Sequence, residues 1–242
     1  HSLNDDSQIE SIHETEDRYF IIKEAASGNK NISQFDKNTG NLNWSKNSLS
    51  ADQVESISKN DEGYMLAVQK DNDRHLVKLK DDGDFSYYYD LSVSEEKASS
   101  IKETADGGYI ISGNKSYNHG DQDANLVKID SKGDMEWEIR LEGSISPDKS
   151  SALEIVNENG SEYFLVSGTI NGASKSSWLS KFSADGTEIW SRKYDGIEGT
   201  DIRVDTNGNY LLSGTEITAD GDKNATVTKI DTSGDQLWQE SY

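Results

Sequence analysis

The sequence contains the phrase Gly107-Gly108-Tyr109-Ile110-Ile111-Ser112-Gly113, which returns at regular intervals along the chain. Close copies are Glu162-Tyr163-Phe164-Leu165-Val166-Ser167-Gly168 and Gly208-Asn209-Tyr210-Leu211-Leu212-Ser213-Gly214, and weaker ones are Tyr19-Phe20-Ile21-Ile22 and Gly63-Tyr64-Met65-Leu66-Ala67. We align the five copies on one aromatic residue each: Phe20, Tyr64, Tyr109, Phe164 and Tyr210. A repeat of about 45 residues that fills the whole chain is typical of propeller blades.

A second phrase follows each copy of the first. In every unit a glycine stands four residues before an aromatic: Gly40 and Trp44, Gly83 and Tyr87, Gly133 and Trp137, Gly186 and Trp190, Gly234 and Trp238. Glycine supplies the positive φ that a tight hairpin turn needs, and neighbouring Asp, Asn and Ser support such turns. This phrase predicts strand, turn, strand. A further strand before each aromatic is marked by Ile12, Ile57, Ile101, Ile155 and Ile202.

Each unit therefore contains four short strands, and turn residues interrupt the chain too often for helices. The pattern predicts an all-β fold, a five-bladed β-propeller with four antiparallel strands per blade. The predicted blades cover residues 7–47, 52–91, 97–141, 148–194 and 198–242, after a disordered N-terminal extension at residues 1–6. The register indicates that each blade is built from consecutive strands, and a closing blade shared between the two ends of the chain is the alternative.

The composition limits the classes of partner. The net charge is −21, from 45 acidic and 24 basic residues, so this acidic protein would repel nucleic acid and anionic membranes. There is no cysteine, which excludes disulfides, thiolate nucleophiles and zinc–sulfur sites. No apolar run approaches the ~18 residues of a membrane span. The chain begins at His1 without a signal peptide, which is compatible with a processed, exported protein.

The segment Phe35-Asp36-Lys37-Asn38-Thr39-Gly40-Asn41-Leu42-Asn43-Trp44 resembles the tryptophan-docking motif of pyrroloquinoline-quinone-like repeats. The stretch from Asn118 to Gly168 is similar to repeats of secreted and surface-anchored bacterial propellers, including lipoproteins. The resemblance implies that the aromatic packs flat between neighbouring blades, and these predicted docking aromatics are Trp44, Tyr87, Trp137, Trp190 and Trp238. It also implies a secreted or cell-envelope location. We do not carry over a quinone cofactor, because the chain has five units and no cysteine.

Where other members of this repeat type have a docking alanine, the chain has Gln34, Lys78, Lys128, Lys181 and Lys229. Our interpretation is that each lysine stem lies across a facing aromatic while its ammonium reaches water or a carboxylate. The alternative is a ring of five cations that binds an anion.

Specificity is best sought where the repeats differ. The loops between second and third strands vary most, and they cover residues 24–31, 69–74, 114–124, 169–177 and 215–225. Exposed loops on a rigid scaffold commonly carry binding residues. The predicted binding residues are Tyr117, Asn118, His119, Asp121, Asp123 and Trp178. For Trp178, stacking on a sugar or a partner side chain and filling the interior of its unit are both open.

No catalytic constellation stands out. The four histidines lie far apart, and we expect them on the surface. Glu55, Glu103 and Glu154 mark inner strands, and we expect them to be solvated or salt-bridged. Residues 71–73, 121–123 and 220–222 hold alternating oxygen ligands, but two or three oxygens fall short of the six to eight that calcium needs. We therefore predict no cofactor and no metal, with calcium as a possibility that no complete motif supports.

These observations favour a monomeric extracellular or cell-envelope binding or scaffold module, without catalytic activity, for a protein or carbohydrate ligand. One alternative is a multivalent lectin with one site per blade. Another is a glycoside or nucleotide hydrolase that uses carboxylates or calcium at the propeller axis.

Overall fold

The computed structural model describes residues 9–25, 29–60, 63–71, 73–90, 96–116, 122–141, 149–170, 175–218 and 222–242. All regular elements in these ranges are β-strands, which confirms the all-β prediction. Within the same ranges, no helix is long and apolar enough to cross a membrane. The predicted extension at residues 1–6 lies outside the described residues.

Twenty strands of the described chain form five antiparallel sheets, and each sheet uses four consecutive strands in chain order. Sheet 1 consists of β1 (Ile9–Glu14), β2 (Arg18–Glu24), β3 (Lys30–Asp36) and β4 (Leu42–Leu49). Sheet 2 consists of β5 (Gln53–Asn60), β6 (Gly63–Lys70), β7 (Asp73–Leu79) and β8 (Phe85–Asp90). Sheet 3 consists of β9 (Glu96–Glu103), β10 (Tyr109–Ser116), β11 (Gln122–Ile129) and β12 (Met135–Arg140). Sheet 4 consists of β13 (Lys149–Glu158), β14 (Ser161–Ile170), β15 (Ser176–Ser183) and β16 (Glu188–Asp195), and sheet 5 of β17 (Ile197–Val204), β18 (Tyr210–Ile217), β19 (Lys223–Ile230) and β20 (Gln236–Ser241).

The chain divides into two compact units, His1–Glu103 and Thr104–Tyr242. In the first unit, sheet 1 packs on sheet 2, and the core contains Phe20, Tyr64 and Leu66. In the second unit, strands β10–β12 of sheet 3 and the whole of sheets 4 and 5 pack in succession. Their apolar side chains form two clusters, one around Leu126 and Phe164 and one around Leu179 and Tyr210.

The burial pattern of a strand follows the number of covered faces of its sheet. In β6 and β15 nearly every side chain is buried, because neighbouring sheets or strands cover both faces. The sequence of β6 is correspondingly apolar on both faces, as expected for a doubly covered strand. In β19, by contrast, buried and half-exposed residues alternate, because within the second unit sheet 4 covers one face of sheet 5.

The first sheet corrects the alignment of its repeat by one residue. Tyr64, Tyr109, Phe164 and Tyr210 each pair with the residue that follows the docking-register lysine, whereas Phe20 pairs with Gln34 itself. The equivalent residue is therefore Tyr19, which pairs with Phe35. Because side chains alternate between faces, this shift turns Phe20 toward sheet 2, where its ring centroid lies 4.7 Å from that of Tyr64.

In sheet 4 the inner-strand residue equivalent to Ile57 and Ile202 is Leu153 and not the predicted Ile155. Ile57 pairs with Leu66 and Ile202 with Leu212, in each case two residues after the register aromatic. In sheet 4 the residue two positions after the register aromatic pairs with Leu153, whereas Ile155 pairs with the register aromatic Phe164 itself. The cause is the longer hairpin of β13 and β14, which extends to a tight turn at Asn159 and Gly160 and shifts the spacing by two residues.

Neighbouring sheets are joined by tryptophan side chains that lie on glycine turns. A Cβ placed on Gly83 would be 2.8 Å from the Trp44 ring, and the corresponding distance from Gly234 to Trp190 would be 3.1 Å. The indole nitrogens donate hydrogen bonds to the carbonyls two residues before these glycines, from Trp44 to Asp81 (2.7 Å) and from Trp190 to Thr232 (3.1 Å).

The third observed contact of this kind places Trp137 of sheet 3 on Gly186 of sheet 4, where an added Cβ would come within 3.3 Å of the indole. The Trp137 ring also packs near Phe164, with a centroid distance of 6.3 Å, and Trp190 packs near Tyr210 in the same way at 6.2 Å. The glycine thus serves two purposes, since it provides a positive φ and leaves room for the neighbouring ring. Side-chain contacts of Tyr87 lie outside the described residues.

We predict that Gly234→Ala destabilises the protein more than Gly208→Ala. Both glycines have nearly the same φ, +85° and +82°, but a Cβ at Gly208 meets no described atom within 4 Å. The Gly208 variant should lose about 1–2 kcal/mol from the strained backbone alone, and the Gly234 variant about 1–3 kcal/mol more from overpacking against Trp190. Urea unfolding measures both. Equal losses would show that indole contact does not require the glycine.

Candidate functional site

The inner strands of the first unit are bridged by side chains instead of a continuous backbone ladder. Three N–H groups of β9 donate to side chains of β5: Ala98 to Glu55 (2.6 Å), Ile101 to Ser56 (3.2 Å) and Glu103 to Ser58 (3.0 Å). The Glu55 carboxylate is thereby engaged in holding the neighbouring strand.

In the second unit, Glu154 on β13 accepts a hydrogen bond from the Arg203 guanidinium on β17 at 2.8 Å. Arg203 also contacts the Asp201 carboxylate at 3.0 Å, and its side chain is 62 % exposed. This cluster joins two inner strands and has one cation between two carboxylates.

His13 on β1 differs from the surface position expected of the histidines. Its ring is partly buried, it lies 3.0 Å from the Ser11 hydroxyl, and it forms a hydrogen bond with the Val54 backbone. Burial lowers the pKa of this imidazole, an effect that the Val54 hydrogen bond only partly opposes. His75 is also partly buried, and His1 and His119 lie outside the described residues.

Of the docking-register lysines, Lys128 and Lys181 are buried and Lys229 is half-exposed, and the ammonium groups of all three contact carboxylates. Lys128 contacts Asp106 at 2.9 Å and Glu136 at 3.0 Å. Lys229 contacts Asp205 at 2.6 Å. The Lys229 hydrogen bond is the main reason why the pKa of Asp205 falls to about 2.

Lys181 completes this set and links two sheets. Its ammonium contacts Glu158 at 2.6 Å, lies 4.6 Å from the centre of the Tyr163 ring and reaches the Tyr210 hydroxyl of sheet 5 at 3.2 Å. These contacts fit the interpretation that the lysine stem packs on an aromatic. Since the described ammonium groups of Lys128, Lys181 and Lys229 are neutralised by carboxylates, they do not form a free cationic ring for an anion.

Gln34 occupies the same register in sheet 1 and likewise reaches the tyrosine of the next sheet. The Tyr64 hydroxyl forms a hydrogen bond with the Gln34 side chain, and burial raises the pKa of Tyr64 to about 12. Burial also raises the pKa of Tyr210, and a hydrogen bond from its hydroxyl to Glu158 adds to the effect. Both phenols are therefore neutral and link neighbouring sheets, Tyr64 through its hydrogen bond with Gln34 and Tyr210 as a donor to Glu158.

The base of the β10–β11 hairpin carries the polar network nearest to the predicted binding loop. The Lys115 ammonium and the Asn125 amide both donate to Glu138 Oε1, at 2.7 and 3.2 Å. Arg140 donates to the Asp123 carboxylate through Nε at 2.9 Å. Asp123 thus faces a cation of its own sheet. The other predicted residues of this loop, Tyr117, Asn118, His119 and Asp121, lie outside the described residues.

Trp178 is a core residue in this structure. Its ring is fully buried, and its Nε1 donates to the Lys149 carbonyl at 3.1 Å. A Cβ on the neighbouring Gly168 would lie 2.8 Å from the same nitrogen, so the strand leaves room for the indole. Of the two roles open from the sequence, filling the interior of sheet 4 is the one that this position supports. A ligand could not stack on the ring without displacing it.

Sequence reasoning missed the partners of these groups. Asp106 and Asp205 lie in the turn between first and second strands, and Glu158 is the last residue of β13 before that turn; the three stand at different offsets from the register aromatic. An acidic residue in or next to each such turn was a usable signal. Lys115 and Glu138 belong to different strands, and neither stands out by spacing. Among the described residues, no three acidic or histidine side chains converge as metal ligands.

A family model described as "Outer membrane protein assembly factor BamB" matches residues 9–207 of the chain. No curated protein matches it. Among solved structures, one described as "Structure of Dos1 propeller" is 13 % identical, with a TM-score of 0.64, and the match covers 98 % of this chain and 59 % of that one. Kuenenia stuttgartiensis hydrazine synthase is also 13 % identical, with a TM-score of 0.67, over 96 % of this chain and 65 % of that one.

These two likenesses concern the fold alone, and they agree with a propeller arrangement of the sheets. The chain spans less than two thirds of the length of either protein. The family match covers most of the chain and agrees with the tryptophan-docking resemblance that the sequence carries.

We predict that Lys229→Met raises the pKa of Asp205 from about 2 toward the ordinary value of an aspartate. Carbon-detected NMR titration of the side-chain carboxyls measures the change. Asp185 is the control, because hydrogen bonds from Ser183 and Thr187 lower its pKa without a lysine. An unchanged Asp205 titration would contradict the ion pair. In the wild type, the stability due to this pair is present above about pH 4 and is lost as the pH falls toward 2.

A second prediction concerns His13. Because its folded-state pKa lies below 6.5, the unfolded chain binds the proton more readily. Stability should therefore fall as the pH drops below about 6.5, and His13→Gln should remove this part of the pH dependence. Urea unfolding at about pH 7.5 and about pH 5.5 compares the two proteins. His75→Gln is the control. If the His13 variant loses as much unfolding free energy between the two pH values as the wild type does, the assignment to His13 is refuted.

Proposed function

This chain belongs to the PQQ_2 family, described as outer membrane protein assembly factor BamB, and from that premise we propose that it is a cell-envelope β-propeller that binds another protein. Its five sheets are the five blades of the propeller. It acts as a scaffold and not as an enzyme, and its partner is a polypeptide that is being assembled into the outer membrane.

The observation that carries this proposal is the use of the repeated polar residues inside the protein. Lys128, Lys181 and Lys229 pair with carboxylates within their units, and Trp44 and Trp190 bond to neighbouring turns. The repeat thus serves the rigidity of the scaffold. The loop residues that differ between blades are available for partner recognition, as in other folds that carry binding loops on a rigid scaffold.

The loops between second and third strands are the proposed contact surface. Their edges carry the ion pairs of Lys175 with Glu198 and of Arg140 with Asp123, so these two cations are already neutralised. With a net charge of −21, the protein favours a partner segment with exposed lysine or arginine. A polypeptide fits this requirement better than a neutral sugar. A lectin would need the same polar groups in each loop, and the sequences of these loops do not repeat.

We predict that the protein binds an unfolded outer-membrane β-barrel polypeptide, diluted from urea, and that the loop of sheet 3 contributes. The test variant replaces residues 117–121 with Gly and Ser. It should weaken binding by about tenfold, because each anchor side chain at an interface contributes on the order of 1–2 kcal/mol. Fluorescence anisotropy of the labelled polypeptide measures the affinity.

The matched control is the double variant Lys132→Ser with Asn207→Ser, which changes exposed residues of turns at the opposite end of the sheets. It should bind like the wild type. Equal affinity of the loop variant and the wild type would reject the loop as contact surface. No binding of any unfolded outer-membrane polypeptide would reject the proposed function, and saturable binding to a glycan array instead would favour the lectin alternative.

A further inference from the structure

The hairpin of β13 and β14 is closed by a turn of two residues, Asn159 and Gly160. The last cross-strand pair before this turn is Glu158 with Ser161. Asn159 has a φ of +52° and Gly160 a φ of +80°, which are the positive values that a type I′ turn requires. Both residues are exposed, and a Cβ on Gly160 would meet no described atom within 4 Å. The tip of this hairpin is therefore accessible to solvent.

An asparagine that is followed by glycine has a specific reactivity. The backbone nitrogen of the glycine can attack Cγ of the asparagine, so that a new C–N bond closes a succinimide ring and ammonia leaves. Water then opens the ring at either carbonyl and yields aspartate or isoaspartate, in which the backbone runs through the side chain. The net reaction consumes water and releases ammonia, without an oxidant. Glycine favours the attack because it has no Cβ to crowd the nitrogen.

The attacking nitrogen must lose its proton, so an amide N–H that donates a hydrogen bond is protected. The Gly160 amide lies beyond the last ladder pair and donates no backbone hydrogen bond among the described residues. The described chain has a second pair of this kind, Asn207 with Gly208, whose Gly208 amide donates to the Asp205 carbonyl at 3.0 Å. The Asn207 amide donates to Asp205 Oδ1 at 2.8 Å and fixes the same turn. The structure thus leaves the first nitrogen available and holds the second.

We propose that Asn159 is a deamidation site of the folded protein, with water as the co-reactant and aspartate and isoaspartate as the products. The hairpin tip selects this site, because Asn207 also precedes a glycine but has a protected amide next to it. The modification is separate from the proposed binding function, since Asn159 and Asn207 both lie between first and second strands, away from the proposed contact loops.

The position of Asn159 connects this reaction to the packing of the sheets. The adjacent Glu158 carboxylate contacts the Lys181 ammonium at 2.6 Å and accepts a hydrogen bond from the Tyr210 hydroxyl of sheet 5 at 2.8 Å. A two-residue turn fixes the register of its hairpin, and isoaspartate adds a methylene group to the backbone of that turn. Glu158 then shifts relative to Lys181 and Tyr210. We therefore expect the isoaspartate form to be less stable than the unmodified protein.

The first test follows the wild-type chain at mildly alkaline pH by peptide mapping with mass spectrometry. Asn159 should deamidate about fivefold faster than Asn207, because the Gly208 amide must first break its hydrogen bond. The same chain unfolded in urea is the control, and there the two asparagines should react at similar rates, since both precede glycine. An unmodified Asn159, equal rates in the folded chain, or a faster reaction at Asn207 would each overturn the proposal.

Two glycine variants test the consequence for stability. Asn159→Gly removes the reactive side chain and keeps a residue that adopts a positive φ freely. After prolonged incubation the wild type should unfold at a lower urea concentration than fresh protein, whereas Asn159→Gly should keep its midpoint. Asn207→Gly is the matched control and should lose stability as the wild type does. An aged wild type that contains isoaspartate in place of Asn159 and keeps its midpoint would refute the link to Glu158. Neither measurement involves the outer-membrane polypeptide, so the two proposals fail independently.

Discussion

The seating of an indole on a glycine turn is the contact on which the rest of this protein depends. Each sheet has four short strands and cannot form a stable core alone, so it must bury its apolar faces against a neighbour. The ring fixes the distance and angle of that neighbour, and its nitrogen bonds to the turn itself. A side chain in place of the glycine would push the sheets apart, which is why this turn keeps a residue without a Cβ.

Buried polar groups give the sheet interfaces their specificity. A lysine in an apolar interface must find a carboxylate, and Lys128, Lys181 and Lys229 each do so with an acid in or next to the first turn of their own sheet. Lys181 and Gln34 also reach the tyrosine of the next sheet. Since the repeated polar residues satisfy one another internally, little of the repeat remains for ligand chemistry. The residues that do not repeat are then the ones available for ligand recognition. Because they can change without disturbing the fold, the same fold accommodates unrelated functions.

The repeat made most of the fold predictable, because each unit contains the same pattern of strands and turns. A unit in which the pattern is weak can therefore be interpreted from the other four. The pattern predicts four strands in each of five units, and the described chain has five sheets of four consecutive strands. Prediction failed where a copy departs from the pattern. Two adjacent aromatics in sheet 1 hid the true register residue Tyr19, and a longer hairpin in sheet 4 moved the inner marker to Leu153. Among the predicted binding residues, the role of Trp178 could not be decided from the sequence, because its burial depends on which strand lies across from it.

Local sequence determined the class of fold, the number of sheets and the place of each glycine turn, because these follow from side-chain alternation and from the φ that a turn requires. The presence of an acidic residue in or next to each first turn was also visible there. The tertiary structure alone decided which acid meets which lysine and which of two neighbouring aromatics faces the next sheet. Those outcomes depend on contacts between residues about 20 to 55 positions apart, whose geometry arises only when the sheets have stacked.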